Sequence, residues 1–253
     1  MLTPYRNNLF SGGGGGSFTK TFCSYYFNGT SGLINLSNAF SPNIEGTNKV
    51  FSMRFVIKRM ADLGNDWFFS NWNGGTSNRS MLIRFNSSDN KLDILFSSTG
   101  TATSGNWKST AAITANTWLD LIIVYNQGVV TVYKDGVIFA GVSTTIPTTI
   151  HPAVSTDAEL GGNSYSGGGI FSNTYINQFA LTTDVITSQE ATDLNNSGSP
   201  RITSDVVGVE NEYIFKNDTW NGSVWSVLDS TTNIDAVSVG MIAADRDCNE
   251  NPY

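Results

Sequence analysis

From Thr21 onward, apolar residues recur at every second position. Phe51, Met53, Phe55 and Ile57 fall on one side of an extended chain, with Ser52, Arg54 and Lys58 on the other. Met81, Ile83 and Phe85 alternate with Arg84, and Leu92, Ile94 and Phe96 alternate with Asp93. Strands with one apolar and one wet face are what antiparallel sheets produce. Turn signals at Asn73-Gly74-Gly75, at Ser87-Ser88-Asp89-Asn90 and from Gly100 to Gly105 are spaced as in a β-sandwich rather than a parallel α/β fold. The run Trp118 to Tyr125 is apolar, rich in β-branched residues and too short for most helices. Asn126-Gln127-Gly128 breaks it, Val129 to Tyr133 resumes it, and Lys134-Asp135-Gly136 turns again. Asp-Gly between β-formers predicts a tight hairpin, because both central residues of such a turn need positive φ. One helix is predicted, opened by a Thr187/Glu190 capping box and ended by Asn195, before the Asn196 to Pro200 breaker.

The pattern divides the chain into three parts. Residues 1–19 read as an arm, since five consecutive glycines between Ser11 and Ser17 form a flexible tether. Residues 20–196 carry the sandwich, and residues 197–253 read as a C-terminal appendage with a Trp220–Trp225 hairpin turning at Asn221-Gly222.

The ordered set of these pieces resembles the laminin-G-like domains of the concanavalin A-like superfamily. Tyr26 to Ile34 is similar to that family's opening strand and turn, Phe51 to Lys58 to its long second strand, and Trp67 to Ser70 to its third. Trp118 to Gly136 resembles the core hairpin, Glu159 to Asn163 a strand ending in glycine, and Phe171 to Leu181 with Thr187 to Glu190 the closing strand and helix. The resemblance implies an all-β antiparallel jelly-roll sandwich. The C-terminal segment, ending in Met241, Asp245 and Pro252, further resembles the ends of laminin-G-like proteins in virions of tailed phages, especially marine ones. That likeness implies a structural or accessory virion protein in capsid decoration, fibre or tail. It would be made in the host cytoplasm, present as a homo-oligomer or in many copies, and face other virion proteins and host-surface glycans. The alternatives are a free carbohydrate-binding lectin module and, last, a glycoside hydrolase.

Composition narrows the chemistry. Charged residues are 14% of the 253 and the formal net charge is −7, so binding nucleic acid by phosphate neutralisation is not expected. No apolar run approaches the ~20 residues of a membrane span, and no signal peptide is read in the first residues. Cys23 and Cys248 lie at opposite ends, so a disulfide would have to pin the tail onto the first strand, while two unpaired thiols are the simpler expectation for a reducing cytosol. His151 is the sole histidine, in a loop where exposure is expected, so neither a His triad nor a zinc cluster can be assembled.

No catalytic residues are expected. Retaining glycosidases need two carboxyls about 5–5.5 Å apart, and the strand-borne acidic run of the glucanases is missing; Glu210 and Glu212 read as solvated surface in the appendage. No cofactor is expected except calcium, which laminin-G-like sandwiches often hold at a rim. Asp62, Asn65 and Asp66 could supply oxygens, although an ordinary polar loop explains them more simply. For a glycan or a partner the candidates are Trp72 beside Asn73, Tyr165, and Trp107, while Trp67 and Trp118 are expected in the core. Tyr5, Leu9 and Phe10 of the arm, with Tyr213, Trp220 and Trp225 of the appendage, are the expected assembly contacts.

Overall fold

The computed structural model describes residues 23–36, 40–60, 66–73, 77–153, 158–164, 169–213, 215, 218–231, 236–249 and 252. Tyr5, Leu9, Phe10, Asp62, Asn65 and Tyr165 lie outside the described residues. Two antiparallel sheets face each other, one of eight strands and one of ten. The eight-stranded sheet runs in the order Val137–Ile138, Val129–Lys134, Trp118–Asn126, Val50–Arg59, Asn173–Thr182, Ser24–Asn28 and Arg246–Asp247. Asn211–Tyr213 also pairs with Asn173–Thr182, further along it than Ser24–Asn28. The ten-stranded sheet begins with Gly141–Ser143, Gly105–Ala112, Lys91–Phe96, Asn78–Phe85 and Asp66–Asn73. It continues through Glu159–Leu160, Leu33–Asn35, Ala236–Val239, Trp225–Val227 and Thr219–Trp220.

Alternation along the strands builds the core. Phe51, Met53, Phe55 and Ile57 are fully buried between the sheets with Phe68, Phe69, Ile83, Ile94, Leu121, Ile123 and Phe179. The Phe55 ring meets Phe68 edge-on at 5.2 Å and lies 5.0 Å from Phe179. Both predicted tight turns are present. Asn126 pairs with Val129 across Gln127 (φ 49°) and Gly128 (φ 90°), and Lys134 pairs with Val137 across Asp135 (φ 53°) and Gly136 (φ 80°). The helix spans Ser188–Asn195 and starts as predicted: Thr187 caps the Glu190 N–H, and Glu190 accepts from the Thr187 N–H at 2.8 Å.

Several expectations need correction. Arg54 was placed on a wet face, yet it is fully buried, because the helix and the 201–203 segment lie over that side of the sheet. Its guanidinium holds Asp120 through two bonds of 2.8 Å, and it also reaches Gln178 and the Arg201 and Leu194 carbonyls. Glu212 is likewise buried rather than solvated, accepting from Gln178, Ser204 and Ser230. His151 is half-buried, set against Gly100.

Nor is the C-terminal segment a separate appendage. It supplies strands to both sheets, and Tyr213, Trp225 and Met241 join the main core, with Trp220 packed against it. Tyr213 lies parallel to Phe179 at 6.0 Å. Tyr213 and Trp225 are therefore buried in intramolecular packing where assembly contacts were expected, and Trp220 is half-buried against the same core. The cysteines are paired. Ser24 lies opposite Asp247, which brings Cys23 and Cys248 to a Cα separation of 3.9 Å and a disulfide. The tail is thereby pinned to the first strand, because the pairing of the first and last strands makes the ends neighbours.

Candidate functional site

The face of the ten-stranded sheet that points away from the core is built by register. Trp67 lies opposite Arg84, Arg84 opposite Asp93, and Asp93 opposite Lys108. Directly paired residues share a face, so these four form a row across four strands. Leu82, Leu95 and Asn106 form the neighbouring row. The apolar members pack as a small cluster of Trp67, Trp72 and Leu82, joined by the half-buried Leu95 and Ile170. Gly162–Asn163 and Ile170–Phe171 form a short hairpin beside it, and Asn163 donates to the Ser70 hydroxyl and to the Trp72 carbonyl.

The polar members are tied to one another. Arg84 grips one Asp93 oxygen through Nε at 3.1 Å and Nη2 at 2.9 Å, while Asn106 donates to the other at 3.3 Å. Lys108 pairs with Asp89 at 2.7 Å, an ion pair that holds the Asp89 carboxyl below its ordinary range. Asp93 is buried, but Arg84, Asn106, Lys108 and Leu95 remain half-exposed. The Trp67 indole N–H is buried with no hydrogen-bond partner among the described residues. The array thus offers a fixed guanidinium, an amide and an ammonium beside an apolar strip, already oriented by their neighbours. Glu159, on the same sheet, is capped by the Ser164 N–H and hydroxyl.

The predicted site residues are dispersed by this geometry. Trp72 belongs to the face but is only 6% exposed, with the Arg79 guanidinium 5.7 Å from its ring, so it is no open stacking platform. Asn73 ends the same strand and is half-buried. Trp107 is 4% exposed and points into the core, where its ring occupies the space above Gly141. Trp67 is buried as expected, though in the cluster on the outer face, whereas Trp118 is half-exposed on the opposite sheet. Asp66 serves structure, bonding Arg59 at 3.1 Å and accepting from the Asn173 N–H at 3.0 Å. Among the described residues no group of three or more acidic, His or Cys side chains is placed to hold a metal ion. Sequence reading passed over Arg84, Asp93 and Asn106 as sites. The available signal was opposite charge at wet positions of adjacent strands.

Two packed antiparallel sheets, a capped helix on one and a polar-apolar array on the other, define a lectin-type β-sandwich. Residues 25–192 match the family profile of the concanavalin A-like lectin/glucanases superfamily, laminin-G type, and the chain belongs to that family. Among solved structures it is similar to a candidate carbohydrate binding protein from Bacteroides ovatus, with 17% identity and a TM-score of 0.65 over 88% of this chain and 59% of that one. It is also similar to the CBM40 of the Ruminococcus gnavus IT-sialidase, with 13% identity and a TM-score of 0.54 over 68% of this chain and 96% of that one. The heptameric SAP-like pentraxin of Limulus polyphemus is 13% identical, with a TM-score of 0.53 over 88% and 98%. At these identities the likeness is one of fold. No curated protein sequence matches the chain.

Proposed function

We propose that this protein is a non-catalytic carbohydrate-binding sandwich that meets glycans on the outer face of its ten-stranded sheet. The observation carrying the reading is the half-exposed set Arg84, Asn106 and Lys108 beside Leu95. Sugar hydroxyls pair well with charged and amide groups already held in place, and the apolar strip suits the C–H side of a sugar ring. The carbohydrate-binding proteins of similar fold support the same reading. Catalysis is not part of it, because Asp93 is held by Arg84 and Asn106, and Glu159 by Ser164.

The test is a glycan array spanning neutral and sialylated oligosaccharides, followed by calorimetry with the best ligand. Arg84→Gln should weaken binding by roughly tenfold to a hundredfold, the range of a hydrogen bond to a charged group. Unchanged affinity would remove this face from the function, and reducing-sugar release from the bound glycan would make the protein an enzyme.

The location reading rests on the likeness of the C-terminal segment to tailed-phage proteins. It makes the sandwich a virion structural or accessory component, in several copies, presented to host-surface glycans. The disulfide is compatible with that setting, since such bonds persist on virion surfaces. Mass spectrometry of purified particles tests it, and absence of the chain from them would end it.

A further inference from the structure

The outer face of the eight-stranded sheet holds a cleft. The helix covers Ile122, Val124 and Tyr133 at one end of that face. At the other end Tyr26, Tyr175, Lys58 and Trp118 stand side by side in register across four strands, all half-exposed. Tyr26 stacks on Tyr175 at 4.6 Å, the Lys58 ammonium lies 5.6 Å from the Tyr175 ring, and Trp118 is 6.5 Å from it. Between Trp118 and the C-terminus of the helix opens a cleft of about 340 Å³.

Its walls are Trp118, Val56, Pro200 and Pro252, and its polar lining is Asp120, Asp135 and Asn195. Asp120 is spoken for, with both oxygens on Arg54. Asp135 accepts from the Asp120 N–H at 3.0 Å and from Lys134 at 2.6 Å, yet its side chain stays 41% exposed. Neither the Asn195 amide nor the Trp118 indole N–H has a partner among the described residues, and both are half-exposed at the cleft.

This chemistry selects a ligand class. An indole flanked by aliphatic rings suits the apolar side of a pyranose, and the small volume suits one or two sugar rings. The Asn195 amide can donate to one hydroxyl and accept from its neighbour, and Asp135 can accept from another. Asp120 is neutralised by Arg54, and the partly open Asp135 presents acceptor oxygens that suit a sugar hydroxyl rather than an anionic group. We propose that this cleft is a second carbohydrate site, on the sheet opposite the first, taking an uncharged mono- or disaccharide unit. The inference rests on the glycan-binding reading above, and the two sites are separable by mutation.

The experiment titrates the full chain with maltose, cellobiose, lactose and mannobiose, followed by saturation-transfer NMR. At least one of these should bind the wild type, with Trp118→Ala and Asn195→Ala each weakening it tenfold or more. Asn195→Ala answers alone if thermal melting shows that Trp118→Ala is unfolded. Loss with Arg84→Gln but not with the cleft variants would overturn the second site and leave the proposed function standing. Failure of all four sugars to bind the wild type would also overturn it, whereas the first face is judged separately by the wider array.

Discussion

Asp218 shows how much one buried carboxylate can say about this protein. Its Oδ2 accepts from the Tyr25 hydroxyl at 3.1 Å, its Oδ1 from the Leu228 N–H at 3.2 Å, and Arg246 stands 3.7 Å away. Burial nonetheless dominates and raises its pKa above the ordinary carboxylate range, against the lowering effect of those donors. Burial likewise holds the Tyr25 phenol neutral, with the Asp218 charge adding to the effect. The native state therefore binds more protons than the unfolded chain in the window above the ordinary Asp pKa of about 3.9. Stability from this group falls as pH rises through that window. Asp218→Asn should remove that slope, so the wild-type melting temperature minus that of the variant should drop between about pH 4 and neutrality. Parallel curves would show that Asp218 does not titrate in this way. Gly136 offers a second test at the same scale. Its φ is 80°, and an added Cβ would come within 3.2 Å of the Thr192 backbone. Gly136→Val should cost about 1–3 kcal/mol for the strained backbone alone, read from urea midpoints, and an unchanged midpoint would refute the constraint.

Single elements were legible wherever neighbours in sequence decide the structure. The hairpins at Gln127-Gly128 and Asp135-Gly136 and the Thr187 capping box depend on residues within four positions of one another, and each formed as read. Trp72 and Trp107 were misread for the converse reason. Alternation assigns a side chain to a face but does not say what covers that face, and here the sandwich core takes Trp107 while a small cluster on the outer face encloses Trp72. Arg54 belongs to the same class, its wet-face position roofed by the helix. Its bonds to the Leu194 and Arg201 carbonyls fasten the helix end and the next segment to the sheet. Arg54→Met would strand the Asp120 carboxylate, and breaking such a buried pair typically costs about 3–5 kcal/mol. Adding Asp120→Asn should recover part of the loss in urea unfolding, because the orphaned charge goes with it. A single variant with wild-type stability would show that the pair contributes nothing.

At the scale of the whole molecule, the two ends of the chain close the sandwich, and this was the least legible feature. Nothing local in Ala236–Val239 names Leu33–Asn35 as its partner, and nothing in Arg246–Asp247 names Ser24–Asn28, because each pairing joins segments from opposite ends of the chain. A boundary at residue 196 followed from the Asn196 to Pro200 breaker, yet the physical unit crosses it. Asn211–Tyr213 extends the eight-stranded sheet along Asn173–Thr182, and Trp225 sits 5.8 Å from Tyr25 within the same core. Removing residues 198–253 would therefore leave Ser24–Asn28, Leu33–Asn35 and half of Asn173–Thr182 without a partner strand on one side. It would also expose Tyr25 and Phe179, now fully buried, and delete the disulfide partner of Cys23. Unpaired edges and exposed aromatics of this kind promote aggregation. The truncated chain should be insoluble, or soluble without a cooperative melt, when compared with the full chain by circular dichroism. A chain ending at residue 197 that melts cooperatively at the wild-type temperature would show that the C-terminal strands decorate a sandwich already complete without them.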